Sequence, residues 1–416
     1  MIQLGVIADD FTGGSDIASF LVENGLRTVQ MNGVPARGLP EGVDAVVISL
    51  KSRSNPVAEA IEQSLSALKW LQEQGCGQFY FKYCSTFDST AQGNIGPVAD
   101  ALLDALGESF TVISPALPVN GRTIFNGYLF VGRVLLNESG MQNHPITPMR
   151  DASLIRLMDA QAKGRTGLVA YADMAQGAAH VSECLQRLQS EGFRYAVADS
   201  VEDGQLAVLA QACADLKLLT GGSGLAAYVA ARLSGGQKGQ DAFVPPRARG
   251  IVLSGSCSVM TNRQVAAYRA KAPALFVVAE RCVREGDAYV DELFDWAHGY
   301  RDSVLAPLLY ATVPPDELHV IQQRLGAEVA SHAIENAFAA LAERLRADGV
   351  RNFITAGGET SSIVVQRLGI EGFRIGRRIA PGVPWLRVLD SDVHLALKSG
   401  NFGSEDFFAV AQDMLG

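Results

Sequence analysis

The chain has 416 residues, of which 48% are hydrophobic and 19% are charged, so it is long enough for about two to three domains that each bury a core. Its formal net charge of -9 opposes binding to nucleic acid and to anionic membrane surfaces. There is no Cys-x-x-Cys pair, no basic secretory leader and no uncharged apolar run of membrane-spanning length, so the composition predicts a cytoplasmic protein.

Short apolar runs alternate with segments of helical periodicity through the first half of the chain. The run Leu4–Ala8 precedes a predicted helix over residues 15–24. Further strands are predicted at 45–50, 79–82, 111–113, 167–170, 195–198 and 216–220. Further helices are predicted at 56–74, 97–106, 178–190, 204–214 and 225–233. This alternation is typical of buried parallel strands covered by helices, and it predicts an α/β domain over residues 1–234.

Residues 235–250 have no periodicity and are rich in Gly, Gln and Pro, which is the composition of an exposed linker. Beyond them, strands are predicted at 250–254, 274–279 and 352–356, and helices at 260–270, 328–347 and 361–368. The pattern predicts a second α/β domain over residues 251–416. We therefore expect two α/β domains with mainly parallel sheets and a cleft between them.

Three acids, Asp9, Asp10 and Asp16, follow the first predicted strand. In an open α/β sheet, ligands bind at the carboxyl ends of the strands. Two adjacent acids can have different roles there, because one can deprotonate a substrate hydroxyl while the other binds a cation. A single acid would be enough to cap the following helix, so capping does not explain why a second acid is present.

Basic and polar residues follow the next predicted strands. Each of these residues alone is typical of a solvated surface. Arginines and lysines at successive strand ends, however, converge in the same crevice, and Arg can hold a carboxylate through two hydrogen bonds. The set therefore favours a small polyhydroxy acid as substrate. Its members are Arg53, Lys82, Asp88, Ser89, Thr90, Asn94 and Arg122.

Four Gly/Ser/Thr clusters, at 220–224, 254–258, 356–361 and 399–403, lie where a predicted strand ends. Glycine lets the backbone approach a ligand closely, and the N–H groups of a following helix favour anions. Any one cluster is typical of an ordinary strand-to-helix turn. Because three of them lie in the second domain, the pattern predicts a nucleotide polyphosphate site, although no Walker A motif is present.

Residues 222–227 match the dinucleotide pattern G-x-G-x-x-A, with Asp241 about 20 residues further on. Asp241 lies in the predicted linker rather than after a strand, so an NAD-dependent oxidoreductase is a remote alternative.

The six histidines show no metal-ligand spacing, and the metal ligands are unknown. Cys257 is interpreted as a small packing residue.

The motifs at 8–13, 88–94, 118–123, 357–360 and 399–403 together resemble the four-carbon acid sugar kinase family over nearly the whole chain. Residues 29–35 and 81–90 look like the branch that acts on 3-oxo-tetronates. The threonate and erythronate kinase branches usually carry a Lys shortly before Asp-Ser-Thr and Leu-Arg after it, whereas this sequence has Thr86 and, at 91–92, Ala-Gln. A threonate or erythronate kinase is the nearest alternative.

The resemblance implies an N-terminal acid-sugar-binding domain, a C-terminal ATP-binding domain, and phosphorylation of the C4 hydroxyl with Mg²⁺ and domain closure. Asp9 and Asp10 would then lie at the substrate hydroxyl, with Asp10 as the favoured base. Arg53 and Lys82 would lie near the substrate carboxylate, and Asp88, Ser89, Thr90 and Asn94 along the edge of the substrate. Asp16 and Arg122 are the other candidates for binding it. The residues that would surround ATP are Ser256, Ser258, Gly357, Gly358, Glu359, Thr360, Ser361, Gly400, Asn401 and Gly403.

The partners expected are an acid sugar and ATP, without nucleic acid or membrane. The oligomeric state is left open, with a homo-oligomer as one alternative. A non-catalytic sugar-acid sensor would need a partner-binding module, and the sequence has no helix-turn-helix pattern or basic stripe.

Overall fold

A computed structural model of the chain describes residues 2–36, 38–143, 147–237 and 243–416. Contacts between residues divide the chain into a first unit, Met1–Gln240, and a second unit, Asp241–Gly416. The boundary falls inside the predicted linker.

Most strands of the first unit follow the apolar runs of the sequence, although the strand at Thr28–Asn32 was not predicted. The strands are β1 Leu4–Ala8, β2 Thr28–Asn32, β3 Ala45–Ser49, β4 Gln78–Lys82, β5 Thr111–Ser114, β6 Arg122–Phe125, β7 Tyr128–Val131, β8 Val134–Leu135, β9 Thr166–Val169, β10 Tyr195–Ala198 and β11 Leu218–Gly221. Eight of them pair in parallel in the order β2-β3-β1-β4-β11-β5-β10-β9. Every residue of β1, β3 and β4 is buried, which explains their almost continuous apolar character.

Helices of the first unit connect these parallel strands, as crossover connections require. They are α1 Phe11–Glu23, α2 Val57–Glu73, α3 Ile95–Leu106, α4 Leu154–Asp159, α5 Tyr171–Met174, α6 Ala178–Ser190, α7 Asp203–Ala212 and α8 Ser223–Leu233. Short 3-10 helices lie at Pro118–Asn120, Leu136–Glu138 and Gly140–Asn143. The α/β prediction for this unit is confirmed.

A small antiparallel sheet of β6, β7 and β8 was missed by the sequence reading. Its first hairpin turns at Asn126, which has a positive φ of 51°, and Gly127. The buried Asp199 carboxylate accepts the N–H groups of both turn residues at 2.7 and 2.9 Å. A distant acid thus stabilises this turn, and nothing in the local sequence indicates it.

The second unit has strands β12 Gly250–Ser254, β13 Ala274–Phe276, β14 Leu308–Tyr310, β15 Asn352–Ala356, β16 Gly372–Ala380, β17 Val383–Val388 and β18 His394–Lys398. Its helices are α9 Val259–Arg269, α10 Ala279–Glu285, α11 Asp287–Gly299, α12 Pro315–Leu325, α13 Ala327–Ala347, α14 Gly358–Arg367 and α15 Phe407–Asp413. The strand order is β13-β14-β12-β15-β18-β17-β16. The first five pair in parallel, and β17 pairs antiparallel with both β18 and β16.

Described residues at the end of the predicted linker 235–250 bond to the second unit. The carbonyl of Phe243 accepts the N–H of Arg377, and Arg247 and Gly416 bond through their backbones at 2.8 Å. Phe243 and Arg247 are therefore bonded to the second unit. Among the described residues, no helix has both the length and the apolarity needed to span a bilayer.

Candidate functional site

The turn between β1 and α1 places two carboxylates at the carboxyl end of a buried strand. Asp10 caps α1, because its side chain accepts the Gly13 N–H at 3.0 Å and the Thr12 hydroxyl at 2.8 Å. The capping interpretation is therefore correct for Asp10. Helix capping does not explain the presence of Asp9.

Arg53 binds both acids. Its Nε and Nη2 donate to the two oxygens of Asp9 at 2.8 Å each, and Nη2 also donates to Asp10 Oδ1 at 2.7 Å. Asn94 positions this arginine, because its amide donates to the carbonyls of Ser52 and Asn55 at 2.8 and 2.9 Å. Arg53 is thus occupied by the acid pair, whereas the sequence predicted it at the substrate carboxylate.

Lys82 completes the group at the end of β4. It is only 3% exposed, and its Nζ donates to the Tyr83 carbonyl at 3.0 Å. A Cβ added to Gly13 would lie 3.0 Å from Lys82 Nζ and 2.2 Å from Asp10 Oδ1, so only glycine fits between the two side chains. We call Asp9, Asp10, Arg53 and Lys82 the charge cluster.

The two acids differ in pKa. Burial raises the pKa of Asp9 above its ordinary value, in spite of Arg53. Burial also acts to raise the pKa of Asp10, but Arg53, Lys82 and the hydrogen bonds from Thr12 and Gly13 outweigh it, so that this pKa is lowered. The Asp10 side chain is 27% exposed and that of Asp9 only 7%. Asp10 is therefore the more exposed acid of the pair and the one whose carboxylate stays ionised to lower pH.

The remaining predicted substrate residues bond to other partners. Asp16 accepts the hydroxyl of Ser223, Ser89 donates to Gln161 at 2.7 Å, and Arg122 donates to the Asn120 carbonyl. Asp88 accepts from Thr86 at 2.7 Å, and Thr90 contacts Gln92 at 3.4 Å. The Nε of Arg122 is buried and has no hydrogen-bond partner among the described residues. The structure thus joins Asp9, Asp10, Arg53 and Asn94 by hydrogen bonds, places Lys82 beside Asp10, and holds the other residues in separate local contacts.

In the second unit, three glycine turns pack tightly at the ends of β12, β15 and β18. A Cβ on Gly255 would lie 2.3 Å from Thr360 Oγ1, and one on Gly357 would lie 3.2 Å from the Ser256 backbone nitrogen. A Cβ on Gly400 would lie 2.7 Å from Ser256 Oγ. Glycine is therefore required at each turn for the close approach of the chain.

A cavity of about 300 Å³ opens beside two of these turns. Its lining on the turn side includes five of the predicted nucleotide residues, namely Ser256, Gly357, Gly358, Glu359 and Thr360. Helices α12 and α13 supply the apolar side through Leu318, Ile321 and Ile334. The volume and the mixed lining are those of a small-molecule site.

The other predicted nucleotide residues support the turns instead of lining the cavity. Ser258 caps α9 and donates to the Gly400 carbonyl at 2.7 Å, and Ser361 bonds Thr355 at 2.8 Å. Gly403 has a φ of +81°, and Asn401 is exposed.

The sequence reading missed Lys398, at the end of β18. Its side chain is 0% exposed, and Nζ donates to Thr261 Oγ1 and to the carbonyls of Ser399 and Gly400 at 2.8 to 3.0 Å. Burial lowers the pKa of Lys398 to about 7. The sequence feature that could have indicated Lys398 is a basic residue at the end of an apolar strand, directly before a glycine turn.

The dinucleotide pattern at 222–227 has a structural explanation. A Cβ on Gly222 would lie 2.9 Å from the Pro115 carbonyl oxygen, and one on Gly224 would lie 2.3 Å from that of Ala116. These glycines let α8 pack against the chain after β5. Asp241 lies outside the described residues. Cys257 lies in the lining of the cavity described above, and burial raises the pKa of its thiol.

Comparisons with known proteins cover the whole chain. A family model described as a sugar-binding N-terminal domain matches residues 4–229, and one described as a nucleotide-binding C-terminal domain matches residues 251–408. A Haemophilus influenzae protein named 3-oxo-tetronate kinase is 68% identical over 412 residues, which is 99% of this chain and 100% of that protein. One of the same name from Actinobacillus succinogenes is 67% identical over 413 residues, 99% of this chain and 100% of that protein. A crystal structure of a Haemophilus influenzae protein matches with a TM-score of 0.88 and 68% identity, over 99% of each chain.

Proposed function

This chain belongs to the four-carbon acid sugar kinase family, and we propose that it is a 3-oxo-tetronate kinase that transfers the γ-phosphoryl group of ATP to the C4 hydroxyl of a 3-oxo-tetronate. The observation that carries the proposal is the 68% identity, over almost the full length of both chains, to a relative of that name. The charge cluster of the first unit and the glycine turns of the second support it independently.

The charge cluster suits activation of a hydroxyl group. Asp10 would accept the C4 hydroxyl proton while the oxygen forms its bond to the γ-phosphorus and the bond from that phosphorus to the bridging oxygen of ADP breaks. Arg53 holds Asp10 and Asp9 in fixed positions, because it bonds both at 2.7 to 2.8 Å. Lys82, which lies beside Asp10, would attract the substrate carboxylate.

The residues of the second unit fit ATP. Its turns contain glycines at positions with no room for a Cβ, and glycine lets backbone N–H groups approach a phosphate closely. Gly357, which precedes α14, has no side chain that could cap this helix. The apolar wall of α12 and α13 suits a nucleoside. Glu335 and Glu359 line the same cavity and would hold Mg²⁺, which neutralises charge on the β- and γ-phosphates when bound.

An ADP-release assay tests the proposed substrate. We expect turnover with ATP, Mg²⁺ and a 3-oxo-tetronate, and at least tenfold lower kcat/KM with threonate or erythronate. Both configurations of the oxo acid belong in the assay. Turnover on threonate or erythronate alone would keep the kinase but assign it to the other branch, and no turnover on any of the acids would contradict the proposal.

Replacing Gly255 by Ala tests the ATP site. The added Cβ would lie 2.3 Å from Thr360 Oγ1 and force that side chain or the turn to move, so we expect the KM for ATP to rise about tenfold, roughly 1.4 kcal/mol of binding. Gly299→Ala is the matched control in the same unit, because a Cβ there would meet nothing within 4 Å. An unchanged KM for ATP in Gly255→Ala would place the nucleotide elsewhere.

A further inference from the structure

Three potential metal ligands converge at the far edge of the first unit. Asp173 in α5 and His180 in α6 approach to 3.2 Å between Oδ1 and Nε2, and Cys184 Sγ lies 3.4 Å from the same Nε2. All three donor atoms lie within 4.8 Å of one another. These helices follow β9, which is five strands from β1 in the sheet order, roughly 24 Å at the usual strand spacing. The group is therefore separate from the charge cluster.

The geometry distinguishes a metal site from a catalytic triad. In a triad, the nucleophile and the acid contact opposite nitrogens of the imidazole ring. Here both contact Nε2, which has either one proton or one lone pair and cannot serve two full hydrogen bonds. A cation between the three atoms would satisfy all of them together.

We propose that Asp173, His180 and Cys184 bind a zinc ion. In a tetrahedral zinc site with bonds of about 2.0 to 2.3 Å, neighbouring ligand atoms lie roughly 3.3 to 3.6 Å apart, close to the two distances above. One oxygen, one nitrogen and one sulfur ligand suit Zn²⁺ better than Mg²⁺ or Ca²⁺, which prefer oxygen. Water would take the fourth position, since the side chains of Asp173 and His180 are 30% and 31% exposed.

The surroundings orient the ligands. The second oxygen of Asp173 accepts the Ala170 N–H at 3.2 Å, which leaves Oδ1 directed at His180. Arg187 Nη2 donates to Cys184 Sγ at 3.6 Å, a contact that stabilises a thiolate. Zinc would join α5 to α6. Because zinc is bound by a thiolate, binding would release the Cys184 proton.

The test is a Zn²⁺ titration of the full-length protein against a chromophoric chelator, with Mg²⁺ in excess so that sites of oxygen ligands are filled. We expect one zinc ion per chain, and at least tenfold weaker binding in Asp173→Asn, His180→Ala and Cys184→Ser. His298→Ala is the matched control, since His298 pairs with Asp348 at 2.9 Å without a cysteine ligand. The kcat of all these variants should equal that of the wild type.

Substitution with Co²⁺ keeps the proposal testable if a variant does not fold. A thiolate-to-cobalt charge-transfer band in the wild-type protein, absent in Cys184→Ser but present in Cys282→Ser, would support the site. Either of two results would overturn it, namely no uptake of Zn²⁺ by the wild type or equal uptake by Cys184→Ser.

Discussion

Replacing Asp10 by Asn is expected to lower kcat by about 10²- to 10⁴-fold, the usual contribution of a general base. The amide cannot accept the hydroxyl proton. It can still accept the Gly13 N–H and cap α1, because Asn is as good a capping residue as Asp. The loss should therefore appear in kcat, with the KM for ATP and the melting temperature close to those of the wild type.

The comparison with Asp9 makes this prediction specific. Both oxygens of Asp9 are taken by Arg53 and its side chain is only 7% exposed, so it positions the arginine. Because the pKa of Asp10 is lowered, that carboxylate stays ionised from the ordinary value of 3.8 upward, and its protonation should not limit kcat between pH 5 and 8.

The control for Asp10→Asn is Asp44→Asn. Asp44 forms an ion pair with the exposed Arg27 in the same unit, so its loss changes charge by the same amount away from the site. We expect wild-type turnover from this control. Near-normal turnover from Asp10→Asn would show that Asp10 is not the base and would turn attention to Asp9 and Asp16.

The sequence predicted the acid pair but not its arrangement. An apolar run ending in two acids places them at a strand end, and that local inference is correct for Asp9 and Asp10. The bond to Arg53, by contrast, joins residues 43 and 44 positions apart. No local pattern distinguishes an arginine that binds substrate from one that holds the acids.

The glycine turns illustrate the same limit in the second unit. Their residues were predicted because glycines after apolar runs are a local signal. The opposite wall of the cavity was not, because no local pattern assigns α12 and α13 to a ligand, although residues 328–347 of α13 were predicted to be helical. The zinc ligands were missed for a third reason. His180 and Cys184 are four residues apart on one helix, but Asp173 comes from a different helix, and no standard motif has that spacing.

Lys398 has an unusual electrostatic environment for a lysine. It is fully buried, and its three hydrogen-bond partners are neutral oxygens. At about 1.4 kcal/mol for each pH unit between the ordinary pKa of 10.5 and the value of about 7, its burial costs the folded state about 5 kcal/mol at acidic pH. Such a cost is typical of a functional site, and the Gly400 turn, which the ammonium group bonds, is one of the three glycine turns proposed to bind ATP.

Replacing Lys398 by Met is therefore expected to raise the free energy of unfolding at pH 6 by a few kcal/mol. The unfolded wild type binds more protons than the folded protein between pH 7 and 10.5, so wild-type stability rises with pH in that range and the advantage of the variant should shrink. Urea unfolding at pH 6, 8 and 10 measures this difference. A variant that is less stable than the wild type at pH 6 would contradict the electrostatic argument.

The same substitution should impair ATP binding while it stabilises the fold. The ammonium group holds the Gly400 carbonyl at 2.8 Å and places a positive charge at that turn, so we expect the KM for ATP to rise about tenfold in Lys398→Met, with a smaller effect on kcat. In the wild type, the KM for ATP should rise above pH 7 as Lys398 loses its proton, and the variant should lack this dependence. Lys271→Met, at an exposed position of the same unit, is the control. If the pH profiles of wild type and Lys398→Met coincide, the charge of Lys398 does not act on the nucleotide, and its role is confined to holding the turn.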